Sequence, residues 1–519
     1  MFTRVRFIAP LVTSIYLSSI NYYSSKSSLY NSLCVLNDSK ESKKRKVYRK
    51  WEVAKHTQPE TGIWVTYGDG VYDITTFVAN HPGGSMKVME AAGKSIEPFW
   101  RLYQQHYGSP TPMQILESLR IGDLHPDDVD LIAESMSKLN DVDPYEADPN
   151  IPDSLRVLQD RPINAEAPSS LIADEYITPN KLFFIRNHHP VPEINENDYS
   201  LSIKLLDKAS KIHKFTLKEL KENFPKQTIT ATIQCGGNRR SEMDRIKKTA
   251  GTPWKISAIS NATWSGVLLK DVLSSLGMTH ESIPENIQHI QFTGAEGLQA
   301  SIPIDKLTMD TKGSDVLLAY EMNGETLPRE HGYPVRVVVP GTVGVRNVKW
   351  VTKIKLSEEE AEGPWQRGMA YKGFNPSIVG LNDLNVESIP SVQEQPVTSA
   401  ISVPQEGDTV RPGNVKVKGY AYSGGGRGII RVDVSADGGK TWHSAKLKQG
   451  SEQPLRRAWA WTLWECVVPI SPTEKKVEIV SKAIDSSHNV QPDSLNGIWN
   501  LRGINNNAWH RVGCKVKFY

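Results

Sequence analysis

The most informative stretch of the chain is Thr232-Ile233-Gln234-Cys235-Gly236-Gly237-Asn238-Arg239-Arg240. A β-branched run reads as a strand. It ends on a cysteine, and two glycines follow, which lets backbone approach whatever the sulfur binds. Two arginines then raise the local positive potential and favour the thiolate, the form that ligates metals or attacks electrophiles. A cysteine at a strand end is also an ordinary core residue, so the rest of the chain has to decide between the two readings.

The chain has 519 residues, 39% hydrophobic and 23% charged, which suits several globular domains and rules out dominant disorder. Its four cysteines, Cys34, Cys235, Cys466 and Cys514, lack paired spacing. That excludes a disulfide scaffold and a Cys-x-x-Cys zinc site. Residues 1–37 hold Arg4, Arg6, Lys26, eight serines and no acid, the composition of a mitochondrial presequence. Phe7 to Ile20 is apolar but short and interrupted, so it suits sorting to the intermembrane space, or alternatively a secretory signal peptide, better than a stable membrane anchor. Residues 1–46 carry eight Lys/Arg and two Asp/Glu, so the remainder has a formal charge of about −3. Such a surface disfavours nucleic acid and accommodates a basic protein partner.

Residues 47–124 read as a small α+β domain. Ile63-Trp64-Val65-Thr66-Tyr67 and Val71-Tyr72-Asp73-Ile74 flank the turn Gly68-Asp69-Gly70. The stretch Phe77-Val78-Ala79-Asn80-His81-Pro82-Gly83-Gly84 follows, then helical segments around Met86–Ala92 and Glu97–Gln105, the second ending at His106. Two histidines facing each other across a flat ligand fill both axial positions of a haem iron and suit electron transfer. This block resembles the cytochrome b5 family. The resemblance implies haem b, with His81 and His106 as its iron ligands.

Residues 125–153 are expected to be an acidic flexible linker. Asp123 to Asp153 contains ten Asp/Glu, one Lys and four prolines, with a short helix expected over Leu131–Leu139 and a tether elsewhere. Residues 154–395 mix strands, short helices and turns around three clusters. The first is Phe183-Phe184-Ile185-Arg186-Asn187-His188-His189-Pro190, and the second is the cysteine stretch. The third runs from His331 through Arg336 and Gly341 to Asn347-Val348-Lys349, a strand entering a basic glycine-rich loop of a kind that receives phosphate.

Together these clusters resemble the sulfite oxidase family, molybdopterin-dependent enzymes that include eukaryotic nitrate reductase. The resemblance implies an α+β multidomain chain and sulfite oxidation to sulfate at a molybdenum-molybdopterin centre. Electrons would pass through haem b to cytochrome c. By the same resemblance Cys235 is the molybdenum ligand, a soft thiolate suited to such a metal. Arg186, Asn187, His188, His189, Pro190, Glu296, His331, Arg336, Asn347, Val348 and Lys349 form the cofactor-binding set. Arg186, Arg240 and Arg502 hold the anion, with Trp254 and Tyr371 beside them. Two departures are Ala370, where Asp is usual before the tyrosine, and a short segment around Gly294–Gly297, which leaves Glu296 as the acidic contact.

Residues 396–519 alternate apolar and polar positions at Val415–Ala421, Ile430–Val434 and Ala458–Trp464, with a hairpin turn at Asp437-Gly438-Gly439-Lys440. Short strands at this spacing predict an immunoglobulin-like β-sandwich, which the resemblance makes a homodimerisation domain. Two rivals are a nitrate reductase relative, disfavoured by the haem domain coming first, and a haem redox protein with an impaired molybdenum site, suggested by Ala370.

Overall fold

The computed structural model describes residues 45–518 apart from 82–83, 109, 141–142, 207–210, 280, 309–313, 381–385 and 387. The expected leader therefore lies almost wholly outside the described residues, as do Cys34, Pro82 and Gly83. Among the described residues no helix is long and apolar enough to cross a membrane.

In the N-terminal domain Gly62–Tyr67 and Gly70–Asp73 pair antiparallel across the Gly68-Asp69 turn. They sit in a five-stranded sheet with Arg120–Leu124, Val47–Tyr48 and Thr57–Gln58. Ile63, Val65, Tyr72, Ile74 and Trp100 form the core beneath it. The helix expected to run to Gln105 stops at Leu102. Tyr103 leaves helical geometry at φ −102°, ψ 68°, and His106 falls inside the separate 3-10 turn Gln104–Tyr107.

The acidic stretch carries more helix than expected, fifteen residues from Pro126 to Asn140. Composition concealed a stripe: Val129, Ile132 and Met136 lie three and four apart and pack with Tyr48, Val53 and Leu124. The first-turn acids are not all solvated. Asp128 is buried, pairs with Arg49 Nε at 3.0 Å and accepts from the Lys50 amide at 2.9 Å. Carboxylates in a first turn also suit the helix dipole.

Two five-stranded sheets and a three-stranded one, Arg156–Gln159, Asn164–Glu166 and Ile185–Arg186, build the middle domain. In one five-stranded sheet, His289–Gly294 and Val351–Ser357 are central, flanked by Gln299–Pro303, Ser200–Lys204 and Ile212–Thr216. In the other, Ile259–Leu268 lies between Gln227–Gln234 and Leu317–Met322, and the latter also pairs Arg336–Val338 and Glu325–Thr326. Leu201, Val267, Ile290, Phe292, Val337 and Ile354 are fully buried in the largest core cluster, each contributing about 1.5–3 kcal/mol.

The C-terminal domain is the expected sandwich. One sheet orders Thr398–Val403, Gly413–Tyr422, Thr462–Ile470 and Lys446–Leu447. The other orders Thr409–Val410, His510–Val516, Lys476–Asp485, Ile429–Ser435 and His443–Ser444. The strand expected from Ala458 begins only at Thr462. Trp459 and Trp461 precede it because they serve the domain junction. Trp459 packs against the cluster that contains Cys235, and Trp461 Nε1 donates to Tyr176 O of the middle domain at 3.0 Å.

Candidate active site

The strand Gln227–Gln234 starts exposed and ends with four buried residues, so it delivers Cys235 to the interior. Thr232 Oγ1 donates to Asn261 Oδ1 at 3.0 Å and accepts from the Trp461 amide at 2.8 Å. Cys235 is buried. Its amide donates to Ala258 O at 2.9 Å, and its Sγ accepts from the Gly237 amide at 3.4 Å.

The glycines do something other than expose the sulfur. A Cβ on Gly237 would lie 2.6 Å from the Arg240 guanidinium, and Cβ atoms on Gly251 and Gly503 would meet the same side chain at 2.8 and 2.7 Å. Three glycines distant in sequence thus cradle one arginine. Arg240 Nε donates to the carbonyls of Arg502 and Gly503 at 3.1 Å each, and Nη1 donates to Thr252 O at 2.7 Å. Its neighbour Arg239 is fully buried and makes a two-point pair with Glu242 at 2.8 and 2.7 Å. Arg239 Nη1 also donates to Ala508 O and Ser399 O. Arg239 therefore clamps the C-terminal domain to the cysteine loop.

Beside the sulfur lies a cavity. Of the sequence-predicted residues, Arg186, His188, Cys235, Glu296, His331, Arg336, Asn347, Val348, Lys349 and Tyr371 line it. Asn187 stands directly behind, fully buried, its Oδ1 taking a hydrogen bond from Lys349 Nζ. His189, Pro190, Trp254, Arg240 and Arg502 are not in the lining. Trp254 is fully buried against Phe184, with ring centroids 6.3 Å apart, and so supports the wall from outside. Gly344 closes another wall, since a Cβ there would stand 2.9 Å from Gln234 O.

Electrostatics define the cavity. Burial lowers the basicity of Arg240 and Arg502, and the charge of Arg186 lowers both further. Burial, and then Arg240, pull Arg502 down to about 10. Three cations held close enough to repel is the signature of a site for an anion. Burial, then Arg336, bring Lys349 down to about 7, while burial raises Glu296 to about 7. His188 is held well below its ordinary value by burial, with Arg186 second. Its neutral Nε2 lies 3.4 Å from the Tyr371 hydroxyl and can accept a hydrogen bond from it. Burial raises the Tyr371 phenol. The preceding Ala370 packs against the large core cluster, an environment that would penalise a carboxylate.

Several buried polar atoms here have no partner within the chain: Asn187 Nδ2, Glu296 Oε2, His331 Nε2, Arg336 Nε and Arg502 Nε. Unpaired buried polar atoms are costly; the nitrogen atoms of this set match a polar, negatively charged cofactor, and Glu296 Oε2 is left as an acceptor. Among the described residues no group of three or more His, Cys, Asp or Glu could hold a metal ion. A metal beside Cys235 would take most of its ligands from that cofactor.

A second site lies in the N-terminal domain. The rings of His81 and His106 face each other nearly parallel, with centroids 6.1 Å apart and planes at 11°. His81 Nδ1 is hydrogen-bonded to Gly84 O at 3.2 Å and His106 Nδ1 to Tyr103 O at 2.8 Å. Both Nε2 atoms are thereby left for one atom between them, the usual way a protein orients a histidine ligand. Burial keeps both rings neutral. Phe77, Val88, Met89 and Phe99 border the gap's domain core, which fits a flat apolar group such as haem.

Sequence reasoning missed Arg346. It is fully buried and donates to Val392 O at 2.8 and 3.1 Å and to Trp365 O at 3.1 Å. Val392 N in turn holds Tyr371 O at 2.9 Å. No local motif marks this role, because the partners are backbone carbonyls remote in sequence.

The two sites, joined in one chain with a terminal β-sandwich, define a molybdopterin-type oxidoreductase with a built-in haem domain. Three family models match in that order. They are a cytochrome b5-like haem/steroid binding domain at residues 49–125, an oxidoreductase molybdopterin binding domain at 188–365, and a Mo-co oxidoreductase dimerisation domain at 389–517. The mitochondrial sulfite oxidase of Homo sapiens is 48% identical over 90% of this chain and 84% of its own length. The sulfite oxidase of Gallus gallus is 46% identical over 89% of this chain and 99% of its own. Among solved structures, the sulfane dehydrogenase SoxCD of Paracoccus pantotrophus superposes with a TM-score of 0.55 at 28% identity, covering 69% of this chain and 87% of that one. The chain belongs to the sulfite oxidase family.

Proposed function

We propose that the chain oxidises sulfite to sulfate at the Cys235 cavity and passes the electrons one at a time through the His81–His106 site to cytochrome c. Overall, sulfite and water give sulfate, two protons and two electrons. The observation that carries this reading is Arg186 lining the cavity with Cys235 and Tyr371 while the charges of Arg240 and Arg502 act on the same groups from outside the lining. When bound, the molybdenum-molybdopterin group supplies oxygen-atom transfer and haem b supplies single-electron steps.

The chain's own residues do the rest. Cys235 Sγ is the metal ligand. His331, Arg336 and Asn187 meet the cofactor's polar and phosphate groups with atoms left unpaired for it, Asn347 and Lys349 stand beside them in the lining, and Val348 lines the same wall. Arg186 and Arg502 bind the dianion through directed N–H donors. Arg240 Nε and Nη1 are engaged by carbonyls and the side chain lies outside the lining, so Arg240 acts chiefly by charge and by fixing the Arg502 backbone. Tyr371 and neutral His188 form a short route by which a proton leaves. Working as a homodimer through residues 396–519 accords with the dimerisation-family match. Residues 1–46 direct the chain to the mitochondrion, and specifically to the intermembrane space, where a basic cytochrome c meets its acidic surface.

The test uses purified, oxidised protein with its metal content measured. Added sulfite should produce the spectrum of reduced haem. A haem that stays oxidised while molybdenum is bound would refute the proposal. In Arg502→Gln, KM for sulfite should rise about tenfold or more, the scale of a lost hydrogen bond to a charged group. An unchanged KM would remove Arg502 from the anion site.

A further inference from the structure

Cys235 and Tyr371 are joined across the middle domain by single backbone bridges. Gln234 pairs with Val343, Thr342 with Glu394, and Ser391 with Lys372, the residue after Tyr371. The Val343 amide donates to Gln393 O at 2.8 Å, and the Val392 amide donates to Tyr371 O at 2.9 Å. An isolated bridge lacks the neighbouring ladder bonds that steady a strand. The path between the two residues therefore needs another fastening.

Arg346 supplies it. The residue ends the 3-10 turn Gly344–Arg346 and is fully buried. Its Nε and Nη2 close on Val392 O at 3.1 and 2.8 Å, while Nη1 donates to Trp365 O at 3.1 Å and to Gln366 Oε1. Gln366 is also fully buried and extends the grip. Its Nε2 donates to Ser391 Oγ at 2.9 Å and to Glu360 Oε2 at 2.7 Å, and its Oε1 accepts from the Ser301 amide at 3.0 Å. One guanidinium thus fixes both the segment that holds Tyr371 and the backbone of Trp365, whose ring packs on His188 at 5.1 Å. A Cβ on Gly236 would stand 3.5 Å from the Tyr371 ring, so that ring lies against the cysteine loop. Among the described residues no carboxylate pairs with Arg346. It is a buried cation met by neutral oxygens, an arrangement that costs stability. What it offers in return is a rigid fork that reaches three acceptors at once, which the single ammonium of lysine does not.

We infer that Arg346 is a positioning residue for the proposed reaction: by gripping the Val392 and Trp365 carbonyls it fixes the Tyr371 hydroxyl against His188 and beside Cys235. The inference rests on the proposed function. Arg346 is not in the cavity lining, so it touches no reacting group and acts through the backbone of its neighbours. Sulfite is held by other residues. Loss of the grip should therefore lower kcat and leave KM for sulfite nearly unchanged.

The test uses the full-length holoenzyme with molybdenum and iron counted, and a small inorganic oxidant as acceptor so that the cavity chemistry is read alone. Arg346→Lys keeps the charge and loses the fork. It should lower kcat about ten- to hundredfold and move KM less than about twofold, as a misplaced group does. In a Tyr371→Phe background the same substitution should cost less than about twofold in kcat, because the hydroxyl it positions is gone. The Val392 amide should exchange faster in Arg346→Lys than in the unaltered protein. Gln366→Met, which removes one acceptor of the fork, should move kcat and the Val392 exchange in the same direction, and it carries the comparison if Arg346→Lys does not fold or load. An unchanged kcat, an effect confined to KM, or equal losses in the two backgrounds would overturn the assignment. If the unaltered protein oxidises no sulfite, the proposed function fails, while Val392 exchange still decides whether Arg346 holds the segment.

Discussion

Cys235→Ser is expected to abolish sulfite-driven haem reduction while leaving the haem spectrum unchanged. The substitution exchanges a soft thiolate for a hydroxyl that stays protonated at neutral pH, and a high-valent metal held by sulfur ligands gains little from it. Loss of even the outer partners of metal ligands costs about 10–100-fold, so loss of the ligand itself should exceed the upper end of that range. The backbone does not depend on the sulfur. Cys235 N is held by Ala258 O, Gln395 Nε2 holds Gln234 O at 3.0 Å, and Gly344 packs against the same carbonyl. The cost to stability is then one buried hydroxyl with a single weak contact to the Gly237 amide, on the order of 1–3 kcal/mol. The measurement is haem absorbance after sulfite addition, with molybdenum and iron counted on the same sample. Full reduction in the variant would take Cys235 out of the metal site.

What could be read before the fold was known follows from the range of each contact. Cys235 and the histidine pair announce themselves because their chemistry is concentrated in short runs. Their orienting bonds, such as His81 to Gly84 and His106 to Tyr103, span three residues. The middle and terminal strands were legible for the same reason, since alternation is local. Arg240 shows the limit. Its cradle needs Gly251 and Gly503, and its carbonyl partner on Arg502 is 262 positions away, so nothing near Cys235 could reveal it. The clamp of Arg239 on Ala508 is equally hidden, because the two are 269 positions apart. The acidic stretch misled in the opposite way. Its composition suggested solvation, yet Val129, Ile132, Met136 and Tyr145 are anchors spaced among the acids, and a few apolar groups at the right period outweigh many charges that can stay at the surface.

The reciprocal prediction concerns His106. His106→Ala should eliminate the two-imidazole haem spectrum and cut electron delivery to cytochrome c at least about a hundredfold. The cavity chemistry should survive, so that a small inorganic oxidant able to reach the cavity still supports sulfite oxidation. His106 reaches the gap from a 3-10 turn, braced by Trp100 at 5.0 Å with planes at 8° and by its bond to Tyr103 O. Alanine removes the ring but leaves Trp100 in the domain core, so the sheet and its helices should persist. The effect on stability comes through binding: a group bound only by the folded domain stabilises it by mass action. The N-terminal domain should accordingly melt at a lower temperature while the other two are unchanged. Paired with Cys235→Ser, this variant divides the chain's work in two, one lacking the source of electrons and the other their exit. If His106→Ala keeps its spectrum, His106 is not the axial ligand. If it loses oxidation with the small oxidant as well, the two sites are not separable in the way the structure's two independent cores imply.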